Sequence, residues 1–447
     1  MSNLLQPNQI LDSHSGEKCR VLNFIGSGGQ GEVYRAEWGG VDFALKWYYE
    51  QSATADQRSA IEALINLPGG RPSDKFLWPE DLATAKGVPG FGYIMRLREK
   101  RFRSLTDLVA GKIDRTFLAL ITAGLELSKA FRSLHTKGLC YRDISFGNAF
   151  FDPVTGDVVV CDNDNVATNG SAQSGVNGTP GFRAPEIVRN EAIPSTSTDM
   201  HSLAVLLFYM FHIHHPLEGK KMLQIRCLDL AALERIHGKE PVFIFDPADD
   251  SNAAVADDKE DPNGHAGKNA IAYWNLYPRF MRNRFIKAFT KGLHDPDARV
   301  TELEWMDTLA ALRNSLFRCS CGTPNFFDQE ALKETGLGSP RCWSCRKQPQ
   351  PPFRLHLGRM VVLLNADSKL FPHHTAEGHS YDFGKPVAEV VQHPKDPTIW
   401  GLRNLTAEKW IATIGGAPGK EVSPGRSVPL APGTKVQFGS VEGEIRY

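Results

Sequence analysis

The pattern of apolar and polar positions changes character along the chain. Cys19–Ile25 and Glu32–Trp38 read as strands around a glycine-rich turn, and Val41–Tyr48 is a third short apolar run. Residues 53–67 carry a helical pattern that stops at Leu67-Pro68-Gly69-Gly70. A longer helix is predicted over Arg115–Thr136, where Phe117, Leu118, Ile121, Leu125, Leu127, Ala130, Phe131 and Leu134 fall at helical spacing and Gly138 suits the C-cap. Thr198–Phe211 is apolar nearly all round, as a buried helix is. Helical patterns return over 280–293 and 302–317. The order, strand-rich first and helix-rich second, is that of an α+β domain. Residues 246–264 are acidic and poor in large apolar groups, which reads as a surface insertion. Beyond 319 the composition shifts. Paired cysteines come first, then the proline run Gln348–Pro352 as a linker, then a stretch rich in Gly, Pro and β-formers over 353–447, with no repeat of solenoid period.

The bulk numbers narrow the classes. A chain of 447 residues has room for a large domain and one or two small modules. Hydrophobic residues at 41% exclude wholesale disorder. Lys plus Arg and Asp plus Glu both number 51, so a formal charge of zero gives no electrostatic reason for nucleic-acid binding. The N-terminal segment lacks a basic region followed by an apolar core, and the run Leu203–Phe211 is too short to span a bilayer, so a cytoplasmic protein without a membrane partner is expected.

Several motifs then stand in one order. Gly26-Ser27-Gly28-Gly29-Gln30-Gly31-Glu32-Val33 fits G-x-G-x-x-G-x-V between two strands, where glycines let backbone amides approach phosphate oxygens. By itself this is equally a ligand-free hairpin. Lys46, in Phe43-Ala44-Leu45-Lys46, is placed to meet α/β-phosphates, although one strand lysine alone means little. Tyr141-Arg142-Asp143-Ile144-Ser145-Phe146-Gly147-Asn148 sets a carboxylate and an amide five residues apart after the long helix. Asp162 leaves the apolar run Val158–Cys161, where a carboxylate can hold Mg²⁺ bridging phosphates. Gly178-Thr179-Pro180-Gly181-Phe182-Arg183-Ala184-Pro185-Glu186 closes the segment.

On these motifs, residues 19–317 resemble a eukaryotic-type protein kinase domain, bilobal, with a small lobe over 19–97 and a large lobe over 98–317; residues 1–18 read as an N-terminal extension. Asp295-Pro296-Asp297-Ala298-Arg299 resembles the late Asp-Pro-x-x-Arg, whose arginine would pair with Glu186. The resemblance implies ATP and Mg²⁺ (or Mn²⁺) as cofactors. Gly26, Ser27, Gly28, Gly29, Gln30, Gly31, Val33 and Ala44 would line the nucleotide. Lys46 would bind its phosphates, Asp143 would be the catalytic base, and Asn148 and Asp162 would hold the metal. Glu62 is the expected carboxylate partner of Lys46, with Glu50 as the competitor, and Met95 the expected back wall of the adenine pocket. The pattern departs from the family in three places. Tyr141 stands where histidine is usual. Ser145 stands where serine/threonine kinases have lysine, which removes a positive charge from the transferring phosphate. Asp162-Asn163-Asp164 replaces Asp-Phe-Gly. The implied activity is phosphoryl transfer to serine or threonine of a protein substrate, with autophosphorylation. The alternative is an ATP-binding pseudokinase scaffold whose later modules bind partners.

Cys319-x-Cys321 and Cys342-x-x-Cys345 form two close pairs within 318–347, resembling a zinc ribbon with structural Zn²⁺; free thiols or disulfides are the other readings. Residues 353–447 resemble the C-terminal half of a forkhead-associated domain, an all-β sandwich. Its binding motif is degenerate, with Gly384-Lys385 in place of Gly-Arg and no Ser-x-x-His following. The three-part order resembles bacterial kinases of a tellurite-resistance-linked triad, which implies a cognate phosphatase and a von Willebrand A-type protein as partners.

Overall fold

The computed structural model describes residues 4–171, 177–225, 229–256, 267–376, 378 and 381–447. The chain divides into two compact units, residues 1–270 with 286–303 and residues 271–285 with 304–447. No helix among the described residues is long and apolar enough to cross a membrane.

The first unit opens with a closed six-stranded barrel. Its strands are β1 (Ile10–Ser13), β2 (Lys18–Ser27), β3 (Gly31–Trp38), β4 (Val41–Tyr48), β5 (Pro79–Ala85) and β6 (Val88–Arg96), ordered β1-β2-β3-β4-β6-β5. Leu5, Leu11, Val21, Tyr34, Leu45, Trp47 and Ile94 share its interior. This corrects the reading of residues 1–18 as an extension. Ile10 faces solvent while Leu11 is fully buried, and β1 closes the barrel by pairing both β2 and β5. Helix α1 (Ala55–Ile65) lies between β4 and β5, capped by Thr54, and ends short of the Pro68-Gly69-Gly70 stop.

The rest of this unit is mostly helical. Phe117–Thr136 is a 20-residue helix capped by Thr116. Thr196–His212 is buried along most of its length and begins with a capping box between Ser195 and Thr198. Between them, short strands frame the loops that carry chemistry. Leu139–Cys140 pairs with Ala167–Thr168, and Ala149–Phe151 with Val158–Val160. Of the acidic stretch, residues 257–264 lie outside the described residues. The part before them is anchored as well as exposed, since buried Asn252 donates to the carbonyls of Leu217 and Val242 at 2.8 and 2.7 Å.

In the second unit a hairpin, Leu316–Arg318 with Pro324–Phe326, holds the first cysteine pair in its turn. A helix over Gln329–Thr335, capped by Asp328, separates it from the second pair; sequence reading had no place for this helix. From Arg354 onward two antiparallel sheets, of six and four strands, enclose one core that includes Leu355, Ala388, Leu402, Trp410, Val436 and Ile445. Within the stretch rich in β-formers, strands include Trp400–Asn404 and Trp410–Thr413.

Candidate active site

The glycine loop joins β2 to β3. A Cβ at Gly26, Gly28 or Gly29 would meet nothing within 4 Å, so open space lies over the loop. Gly31 is different: a Cβ there would sit 2.2 Å from the Trp47 carbonyl, so this glycine serves the packing of β3 on β4. The register places Val33 opposite Lys46 and Ala44 opposite Met95. Ala44 and Met95 are both buried, and Gln30 accepts from Lys46 Nζ at 3.3 Å.

Lys46 is 5% exposed. Its ammonium meets Asp164 Oδ2 at 2.8 Å and Asp162 Oδ1 at 3.5 Å. Burial alone would depress its pKa, but the carboxylates of Asp164 and Asp162 outweigh burial and hold it above the ordinary lysine value. Tyr48 donates its hydroxyl to Asp164 Oδ2 at 2.5 Å, and burial beside that carboxylate keeps the phenol protonated. The structure does not bring Glu62 to Lys46. Ile61 and Leu64 are the buried residues of α1, and Glu62, 100° round the helix from Ile61, is left half-exposed with Arg58 at 3.1 Å. The residue of α1 that does reach the site is Gln57, one turn before Ile61; it donates to Tyr48 Oη at 3.1 Å. The signal that could have found it was the stripe of positions 57, 61 and 64.

The loop that carries Asp143 is fixed from below. Asp199, at the start of the buried helix, accepts the amides of Tyr141 and, at 2.9 Å, Arg142. His135 bridges Asp199, at 3.1 Å, and Glu302, and these carboxylates raise its pKa from 6.5 to about 9 despite burial. Tyr141, fully buried between Phe76 and Phe131, donates to the Cys161 carbonyl; it thereby ties the loop to the strand that delivers Asp162. Asn148 Nδ2 donates to Asp143 Oδ2 at 3.0 Å and Thr179 Oγ1 to Asp143 Oδ1 at 2.6 Å. Asn148 Nδ2 also donates to the Asp143 carbonyl at 2.9 Å, so its amide nitrogen is committed to Asp143. Asp162 sits in the left-handed region, φ 48°, with its side chain 43% exposed. Burial of its backbone surroundings, with Asp164 and Asp143 nearby, raises its pKa against the pull of Lys46. A half-exposed carboxylate and an amide oxygen are hard donors, the set that suits Mg²⁺. The expected ion pair of Arg299 with Glu186 forms, with both contacts at 2.8 Å. In the segment that closes at Glu186, the hydroxyl of Thr179 is engaged by Asp143.

In the second unit the four cysteine sulfurs lie within 4.8 Å of one another. Cys319–Cys345 is 3.7 Å and Cys321–Cys342 is 3.8 Å. A tetrahedron with Zn–S bonds of about 2.3 Å has edges of about 3.8 Å, whereas a disulfide needs about 2.05 Å. Asn325 Nδ2 donates to Cys342 at 3.7 Å, and Thr323 lowers the Cys321 thiol to about 6.

Residues 102–262 match the protein kinase domain family model. The chain is 29% identical over 211 residues to the DNA damage-responsive serine/threonine-protein kinase RqkA of Deinococcus radiodurans, covering 43% of this chain and 29% of that protein. It is 25% identical over 197 residues to a probable serine/threonine-protein kinase of Dictyostelium discoideum, covering 43% of this chain and 12% of that protein. These similarities support a eukaryotic-type protein kinase.

A kinase domain implies a bilobal fold, with which the barrel and the helical remainder agree, and the use of ATP, Mg²⁺ and protein substrates. The chain spans less than a third of the length of either relative. The matched segment contains Asp143, Asn148 and Asp162 but neither the glycine loop nor Lys46, so the phosphate-facing barrel rests on geometry.

Proposed function

We propose that the chain transfers the γ-phosphate of Mg·ATP to serine or threonine hydroxyls of a protein substrate and phosphorylates itself. The observation that supports this reading is the convergence of Lys46, on a strand far away in sequence, on Asp162, together with the local hold of Asn148 on Asp143 within one loop. In the reaction the substrate hydroxyl oxygen forms a bond to the γ-phosphorus while the bond from that phosphorus to the β–γ bridging oxygen breaks, and ADP leaves. The hydroxyl proton passes to Asp143, whose oxygens are oriented by Asn148 and Thr179. Lys46 steadies the α/β-phosphates. Asp162 and Asn148 would hold Mg²⁺, which supplies neutralisation of phosphate charge. Ser145 carries no charge where a lysine is usual, so stabilisation of the transferring group rests more heavily on the metal and Lys46.

The four cysteines are proposed to hold one structural Zn²⁺, supported by sulfur separations that match a tetrahedron. The two-sheet module is proposed to be a forkhead-associated-like sandwich that binds partners without the usual phosphothreonine chemistry. A guanidinium grips phosphate with two parallel bonds and Lys385 does not. A cognate phosphatase and a von Willebrand A-type protein remain the proposed partners. Incubating the purified chain with radiolabelled ATP, beside Asp143→Asn, tests the central claim. Label in wild type alone supports it; ATP binding without any label supports a scaffold instead.

A further inference from the structure

In the nucleotide site a carboxylate stands where the family pattern has glycine. The geometry points to Asp164 as the positioning residue for Lys46, so that the phosphate-binding lysine is held by the metal-binding segment itself and not by a glutamate on helix α1. This rests on the reading that Lys46 meets the phosphates of ATP.

Three observations carry it. Asp164 is 2% exposed and puts a single oxygen, Oδ2, on both Lys46, at 2.8 Å, and Tyr48, at 2.5 Å. Its other oxygen, Oδ1, is buried without a hydrogen-bond partner among the described residues, so the side chain's polar contacts all run through Oδ2 to Lys46 and Tyr48. Second, α1 offers no carboxylate at the right face. Glu62 is turned to Arg58, and the helix presents the neutral Gln57, whose Nε2 lies 3.1 Å from Tyr48 Oη and 3.5 Å from the Asp164 carbonyl. Third, Asn163, where the pattern has phenylalanine, is fully buried and donates to the Val160 carbonyl at 3.1 Å, which fixes the turn that aims Asp164 inward.

The consequence concerns control. Where a helix glutamate positions the lysine, moving the helix breaks the pair. Here the pair links β4 directly to the short turn Asn163–Asn165, two residues from the metal ligand, so Lys46 and Asp162 are set as one unit. Displacing α1 then removes only Gln57 from the arrangement. This differs in kind from a structural salt bridge, because Asp164 acts through the side chain that touches the nucleotide.

A double-mutant cycle on the full chain tests the assignment, with ATP affinity and kcat measured for wild type, Asp164→Asn, Lys46→Met and the pair. Thermal melting accompanies each protein. Asp164→Asn is expected to lower kcat by about 100-fold and to weaken ATP binding, but to add little once Lys46 is methionine. Transplanting the carboxylate, Asp164→Gly with Gln57→Glu, is expected to restore activity over Asp164→Gly alone, and it carries the test if Asp164→Asn does not fold. Glu62→Gln is expected to change activity by about twofold at most, as an exposed pair does. Equal losses from Asp164→Asn in both backgrounds, or no gain from the transplanted glutamate, would overturn the assignment. A wild type that binds ATP without transferring phosphate refutes the kinase reading instead, and the affinity cycle then still decides the role of Asp164.

Discussion

The nucleotide site and the cysteine cluster handle concentrated charge in opposite ways. In the first, the chain supplies both signs. Lys46 is buried against Asp164 and Asp162, and the aromatic and amide groups of Tyr48 and Gln57 complete the arrangement. In the second, four sulfurs converge to within 4.8 Å, and like groups face one another. The difference teaches where each site gets its rigidity. The first is pre-organised by folding, so a ligand finds its partners in place. The second, as proposed, would be completed by a soft cation that neutralises the thiolates, so binding energy there would be folding energy. Substitution in the first should therefore change chemistry and leave the fold, and substitution in the second should do the reverse.

The largest effect expected is on transfer. Asp143→Asn removes the proposed proton acceptor but keeps the shape and one oxygen, so phosphoryl transfer should fall by about 100-fold or more while ATP affinity and melting temperature hold. Parallel loss of ATP binding would break the distinction between chemistry and fold. Next comes Cys342→Ser. It should abolish a zinc stoichiometry of about one per chain, melt the second unit and leave ATP affinity close to wild type. Elemental analysis without zinc, in protein purified without chelator, would remove the cysteine half of the comparison. A third variant probes the frame between chemistry and fold. Arg299 is 4% exposed and grips Glu186 with two nitrogens, so Arg299→Ala leaves a partly buried carboxylate without its cation. A loss of about 3–5 kcal/mol in denaturant unfolding is expected, and a loss below about 1 kcal/mol would place the pair with exposed ones.

Legibility followed local signal. The three motif-bearing strands, the long helix ending at Gly138 and the buried helix after Ser195 were readable because each has a period and a stop. Asp143, Asn148 and Asp162 could be named as candidates because they lie on short segments with fixed spacing. The reading of residues 1–18 as an extension fails at Ile10–Ser13, because so short a strand acquires meaning only from its partners 6–10 and 70–72 residues away. Glu62 was expected beside Lys46, with Glu50 as its competitor, for the same reason. Sequence spacing put a glutamate on the right helix, but only the packing of Ile61 and Leu64 decides which way that helix faces. The helix Gln329–Thr335 was hidden by its brevity and by attention to the cysteines on either side.

The smallest effect expected is a pH dependence within the pre-organised half, and it tests whether that half is rigid through charge as well as through packing. His135 lies between Asp199 and Glu302, and its pKa rises from 6.5 to about 9 on folding. The folded state therefore binds the proton more tightly than the unfolded chain does. The resulting stabilisation is complete below about pH 6.5 and is lost as pH rises through about 9. A rise of that size corresponds to roughly 3 kcal/mol, counted once for the triad because the depressed pKa of Glu302 reports the same interaction. Since Asp199 also holds the amides of Tyr141 and Arg142, weakening the triad should loosen the loop that carries Asp143. Urea unfolding from pH 6 to 9.5 should show stability declining across the upper part of that range, and His135→Gln should flatten the decline while lowering stability most at pH 6. A wild-type curve parallel to that of His135→Gln throughout would mean that the histidine is held as a neutral hydrogen-bonding group, and the catalytic loop would then be fixed by packing alone.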